Sequence, residues 1–151
     1  MPIWDKLPPA ERRRHIHTRL TPGRVILLHC NCTTPPKDKF LVIAAVEPEP
    51  LFFIINSTVN EYIRKREDLS RCQVEIGHEE HTFLEHHSFI DYTQTHKVAI
   101  RDVYEQLERD IGRLKDNIST LVREQIIAAV KFAKTLSPKL KADIVSSLEK
   151  V

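Results

Sequence analysis

Glycine is scarce in this chain, with 3 residues in 151. That excludes collagen-like repeats and glycine-rich linkers, and leaves proline, with 9 residues, as the main punctuation. No apolar run approaches the roughly 20 residues that a helix needs to cross a bilayer. The opening Met-Pro-Ile-Trp-Asp turns charged at once, so no signal-peptide core is expected and the cytoplasm is the expected compartment. Cysteine is limited to Cys30, Cys32 and Cys72, an odd set that argues against a disulfide framework. Cys30-Asn31-Cys32 has a single intervening residue, shorter than the two to four of a zinc knuckle, so reduced thiols at a strand end are expected. Internal repeats and low-complexity segments are also missing. What remains, 41% apolar and 29% charged residues over 151 positions, suits one globular domain with a real core.

The apolar residues are concentrated in three short bursts, Arg24–Cys30, Phe40–Val46 and Leu51–Ile55. Thr33-Thr34-Pro35-Pro36-Lys37-Asp38 separates the first two, and Glu47-Pro48-Glu49-Pro50 the second two. Runs this short, broken by proline, predict buried strands of a small, strongly bent sheet. Pro22-Gly23 predicts the turn into the first strand, and the four-residue spacer predicts an antiparallel hairpin with its prolines outside the ladder. Residues 1–21 read as a basic lead-in, with one or two helical turns opened by Pro8-Pro9-Ala10-Glu11. Asn60 to Lys65 is expected to form a helical turn. Gln73–Ile76 alternates as a half-exposed strand, and His81–Leu84 and Ser88–Tyr92 are candidates for the last strands.

From Val98 the period changes. Val103, Leu107, Ile111 and Leu114 recur at helical spacing, with Gly112 as the expected helix end. Asp116 or Asn117 is the expected cap of a longer helix carrying Ile118, Leu121, Val122, Ile126, Val130 and Ala133. Ser137-Pro138 opens a final helix to Val151 with Leu140, Ile144 and Leu148 on one side. The division is therefore lead-in, barrel over residues 22–97 and a helical part over residues 98–151, all within one domain. Charge is uneven along it. Residues 1–24 hold six basic against two acidic side chains, while residues 61–91 hold four against eight. The first stretch suits phosphates, an acidic complement within the fold or across a dimer, or a plainly solvated face.

In order and spacing these elements resemble the MazF/PemK toxin family over roughly residues 21–133. Pro22-Gly23-Arg24-Val25-Ile26-Leu27-Leu28 resembles that family's opening strand, and Phe40-Leu41-Val42-Ile43 its second. Ser88-Phe89-Ile90-Asp91-Tyr92 resembles its distal strand. Ile111-Gly112-Arg113-Leu114 and Ile126-Ile127-Ala128-Ala129-Val130 resemble its Gly-x-Leu turn and C-terminal helix. The resemblance implies an α+β chain with a mainly β core, an SH3-like barrel followed by helices. It further implies a homodimeric, cytoplasmic toxin that cuts single-stranded RNA without metal or cofactor, has no membrane partner, and is silenced by a cognate antitoxin. In that family an Arg at the start of the second strand and a Ser or Thr after the third carry catalysis. Here Asp38-Lys39, flanked by Lys37, stand in place of the Arg-Pro pair, and Ser57 and Thr58 match the hydroxyl position.

The expected catalytic set is accordingly Lys37, Lys39, Ser57 and Thr58, with His81 or His86 as a general base because an imidazole titrates near neutral pH. Arg24, Arg12, Arg13 and Arg14 are the expected RNA contacts. Two other readings stand beside this one. The first is a non-catalytic barrel that binds protein or nucleic acid. The second is a histidine-carboxylate metal protein built on His78-Glu79-Glu80-His81 and His86-His87, a stretch that matches neither HExxH nor HxxEH. Trp4 is either an anchor for the basic arm or a stacking platform for a base.

Overall fold

The central strands are buried on both faces, which is why they read as unbroken apolar runs and not as alternating ones. The computed structural model describes residues 3–31, 34–47, 49–56 and 73–150. They form α1 (Ile3–Lys6), α2 (Pro9–Arg19), β1 (Arg24–Cys30), β2 (Lys37–Ala45), β3 (Leu51–Asn56), β4 (Gln73–Ile76) and β5 (Ser88–His96). After these come α3 (Ile100–Arg109), a 3-10 turn (Ile111–Arg113), β6 (Leu114–Asn117), α4 (Thr120–Phe132) and α5 (Pro138–Glu149). The fold is α+β. Its six strands lie in the order β4-β5-β3-β2-β1-β6, each pair antiparallel, in a sheet curled into a half-barrel. Register shifts at Arg24/Ile26, Ile43/Ala45 and Phe52/Ile54 supply local bends of the kind that curl a sheet.

Helices cover both faces. On one, Val25, Val42, Phe53, Ile55, Ile90 and Tyr92 share a core with Val122, Ile126 and Val130 of α4 and Ile144 and Leu148 of α5. On the other, Ile26, Leu28, Leu41, Ile43, Phe52 and Ile54 meet Ile16 of α2 and Val103 and Leu107 of α3. Ile16 is the only buried side chain of α2 and contributes about 1.5–3 kcal/mol. Polar ties supplement it. Trp4 Nε1 donates to the Glu108 carbonyl at 2.9 Å, and Arg13 Nε meets Glu108 Oε1 at 2.9 Å. Trp4 is thus an anchor of the arm. Gly23 turns the chain into β1 at φ +92°, its N–H on the Ile43 carbonyl at 2.7 Å and its carbonyl on the Ile118 N–H at 2.9 Å. No described helix is long and apolar enough to cross a membrane.

Several boundaries differ from the sequence expectation. β2 begins at Lys37 and not at Phe40, because Lys37, Asp38 and Lys39 pair with Cys30, His29 and Leu28. The stretch His81–Leu84 is a turn, and β5 runs on to His96. The helical stripe from Val103 stops at Arg109, and Leu114–Asn117 pairs with β1 as a strand. The cap of α4 is Ser119, whose hydroxyl accepts from the Val122 N–H, while Ser137 caps α5 as its Ser-Pro pair predicts. The helical turn expected over Asn60 to Lys65 lies outside the described residues.

Tyr92 is fully buried, edge-on to Phe53 with ring centroids 4.1 Å apart, and its hydroxyl has no hydrogen-bond partner among the described residues. A buried, unpaired hydroxyl is unfavourable. Tyr92→Phe is therefore expected to leave stability unchanged or raise it by about 1 kcal/mol, read from the midpoint of urea unfolding. A loss above that size contradicts the packing described.

Candidate functional site

Side chains on the second face of the sheet change character along the strands. β2 runs Ile43, Leu41, then Lys39 and Lys37; β3 runs Phe52, Ile54, then Asn56; β1 runs Ile26, Leu28, then Cys30. The register places these sets beside one another, so one end of the face is apolar and the other polar. The apolar end packs against α2 and α3. The polar end is the candidate site.

Lys39 is its centre. The side chain is half-buried, and Nζ donates to Asn56 Oδ1 at 2.9 Å across the β2–β3 pair. Burial, then the like charge of Lys37, draws the ammonium below its ordinary 10.5, with Cys30 acting in the opposite direction. Among the described residues no carboxylate pairs with it. A cation taken partly out of water without a counter-charge favours an incoming anion. Asn56 is followed directly by Ser57-Thr58, so the tie to Asn56 brings Lys39 to the point where the expected hydroxyl pair begins. Ser57 and Thr58 themselves lie outside the described residues.

A cleft of about 810 Å³ opens along one flank of α3, with His29, Cys30 and His96 among its lining residues. Its rim is fixed by side chains that finish the outer edge of β1 where β6 no longer pairs. Gln106 Oε1 accepts from the His29 N–H at 2.8 Å and its Nε2 donates to the His29 carbonyl at 3.0 Å, as a neighbouring strand does. Arg113 Nη1 donates to the Leu27 carbonyl at 3.1 Å, and Nη2 reaches Asp38 Oδ2 at 3.3 Å. Asp38 also meets His29 Nδ1 at 3.1 Å through its other oxygen. These groups tie β1 to β2 and to the chain before β6, with the His29 and Asp38 side chains on the opposite face of the sheet from Lys39.

Asp91, only 9% exposed, stands opposite Ile54 on the same face. Its Oδ1 accepts from Gln73 Nε2 at 2.9 Å, the Thr93 N–H at 2.8 Å and Thr93 Oγ1 at 2.6 Å, which satisfies a buried carboxylate. His96, opposite Phe52, is held below its ordinary 6.5 by burial, while Asp91 pulls it the other way. A histidine harder to charge in the fold than in the open chain contributes stability that is full above pH 6.5. That stability is lost as the pH falls below 6.5, because the unfolded chain takes up the proton first. His96→Gln is expected to flatten the decline of the urea midpoint as the pH falls below 6.5. A curve parallel to the parent's contradicts this placement.

The other expected residues are dispersed. His81 is 3% exposed, with Nδ1 on the Gly77 carbonyl at 2.9 Å and Nε2 accepting from the Ser119 N–H at 3.0 Å. Both ring nitrogens are engaged by backbone groups, and His81 ties a loop to the start of α4. His86 is exposed on the loop before β5, where its carbonyl accepts from Ser88 Oγ at 2.8 Å. Among the described residues no group of three or more His, Cys, Asp or Glu side chains stands where it could hold a metal ion. Arg24 holds the fold, its Nε on the Arg19 carbonyl and its Nη1 on the Lys115 carbonyl, both at 3.1 Å. Arg12 Nε binds the Leu7 carbonyl at 3.0 Å, Arg13 meets Glu108, and Arg14 meets Glu11 at 3.2 Å.

Sequence reasoning did not reach Asn56, Asp91, His96, Gln106 or Arg113. Asp91 had a readable signal, a carboxylate inside an otherwise apolar strand; the others depend on long-range pairing. Comparison with protein-family models, with curated proteins and with solved structures finds no match to this chain.

Proposed function

We propose that this chain is a toxin of MazF/PemK type, an SH3-like barrel that cleaves single-stranded RNA without a metal ion, acts as a homodimer and is restrained by a cognate antitoxin. The observation that carries the proposal is Lys39. It is a half-buried cation with an amide as its side-chain partner, at the polar end of the sheet face and beside the residue that leads into Ser57-Thr58. Further support comes from the curled antiparallel sheet, the β2–β3 hairpin and the helix that follows Ile111-Gly112-Arg113-Leu114.

In this reaction the ribose 2′-oxygen attacks phosphorus, a bond forms between them, and the bond from phosphorus to the 5′-oxygen breaks. The products are a 2′,3′-cyclic phosphate and a 5′-hydroxyl. Lys39, with Lys37 beside it, stabilises the added negative charge of the five-coordinate phosphorus, and Ser57 or Thr58 assists proton movement. One observation favours a second reading, a barrel that binds RNA without cutting it. A lysine offers a point charge and lacks the planar fork with which arginine grips two phosphate oxygens.

Induction of the chain alone in a bacterial host separates the two readings, run beside Lys37→Ala/Lys39→Ala and Ser57→Ala/Thr58→Ala variants of matched solubility. The expected result is growth arrest with fragmented RNA, relieved by either pair of substitutions. Normal growth with soluble protein and intact RNA overturns the cleavage reading.

A further inference from the structure

A second groove, about 730 Å³, runs between α2 and α3. Arg13, Arg14 and His17 line it from α2, and Arg101 and Tyr104 from α3. We propose that it is a track for the backbone of a single-stranded RNA that crosses α3 at Glu105 into the first cleft, whose lining residue Cys30 stands diagonally across the β1–β2 pair from Lys39. The proposal rests on the ribonuclease reading and extends it from one phosphate to a strand.

Three observations carry it. The groove and the first cleft lie on the two flanks of α3 and meet at its exposed Glu105, which lines both. Its cations outnumber its carboxylates. Arg13 neutralises Glu108, and Arg14 shares Glu11 only through an exposed contact of the kind worth little. Arg101 has no carboxylate partner among the described residues, which leaves Glu105 facing two arginines and His17. Finally, Tyr104 places an aromatic ring among these cations, its hydroxyl 3.4 Å from His17 Nδ1. Cationic side chains that follow the backbone, with a ring on which a base can stack, form the usual chemistry of single-strand binding. An acidic peptide is served by the same arginines but makes no use of the ring.

The anchoring of α2 fits this role. It is a helix with one buried side chain, yet Trp4, Arg13 and Ile16 fix it to α3 and so hold its arginines in place.

The test compares unstructured RNAs of about 5 and about 15 nucleotides, binding by fluorescence anisotropy across a salt series. The proteins are the parent chain, Arg14→Ala/Arg101→Ala, Tyr104→Leu and Lys39→Ala. The parent is expected to bind the longer RNA more tightly and with a steeper salt slope. Arg14→Ala/Arg101→Ala is expected to weaken the longer RNA by about tenfold and to lower its slope by about 1.4, from two lost phosphate contacts. It leaves the shorter RNA within about twofold, whereas Lys39→Ala weakens both. Tyr104→Leu is expected to weaken only the longer RNA, at an unchanged slope. If the double variant leaves the longer RNA untouched while Lys39→Ala weakens both lengths, the track is overturned and the ribonuclease reading stands. If neither RNA binds the parent, both are overturned. If a polyglutamate peptide binds the groove through Arg14 and Arg101 and RNA does not, the occupant is an acidic protein and the track is overturned.

Discussion

Lys39→Ala is expected to lower the rate of RNA cleavage by about a hundredfold to a thousandfold and to leave the fold intact. The rate follows from the charge. A positioned cation facing the phosphate acts where negative charge develops in the transition state, and removal of one such group typically costs that factor. Stability moves little because the fold does not gain from this charge. Burial draws the Lys39 ammonium below its ordinary 10.5, so the structure disfavours the charged form. The Asn56 amide that loses its partner sits at a strand end and is only partly buried. Lys39→Arg separates charge from shape. It is expected to keep or raise cleavage, since a guanidinium reaches two phosphate oxygens at once. Single-turnover cleavage of one defined RNA, with urea unfolding of the same preparations, checks both halves. A variant that unfolds early, or that cleaves at the parent's rate, contradicts the role.

His81→Leu is expected to do the reverse, destabilising the chain by about 1–3 kcal/mol without changing cleavage per folded molecule. The imidazole is buried and serves two backbone groups, the Gly77 carbonyl and the Ser119 N–H. A leucine of similar bulk fills the space but leaves the Ser119 N–H without its partner, while the Gly77 carbonyl keeps the backbone N–H of residue 81 at 3.1 Å. One buried backbone group left alone costs about 1–3 kcal/mol. Ser119 also caps α4, so the loss falls at the start of the helix that packs across the sheet. Thermal unfolding is expected to drop by roughly 2–12 °C for a chain of this size. A general base behaves in the opposite way, with normal unfolding and a cleavage rate reduced a hundredfold or more. The two readouts together decide between a structural and a catalytic histidine.

The strands were readable in the sequence because their burial on two faces leaves a mark in every residue, as in Leu51–Ile55. Lys37–Lys39 was not readable as strand. Those residues continue β2 past the cover of α2 and α3, so they carry charges and look like loop. The length of α2 was hidden for a related reason. With Ile16 as its one buried side chain it has no apolar period, and Glu108, nearly a hundred positions away, ties it down. β6 is four mostly polar residues whose strand character comes from pairing with Arg24 and Ile26. In the site, the sequence marked the cation of Lys39 but not its partner Asn56. Their mutual bond, and the completion of the β1 edge by Gln106 and Arg113, arise only when distant segments meet.

The most direct measurement incubates the purified chain with a defined single-stranded RNA in the presence of a metal chelator and identifies the ends of any products. Fragments bearing 2′,3′-cyclic phosphate and 5′-hydroxyl ends, lost in Lys39→Ala and retained in Lys39→Arg, are the predicted result. Intact RNA after prolonged incubation with folded protein, or fragments formed equally by Lys39→Ala, contradicts it.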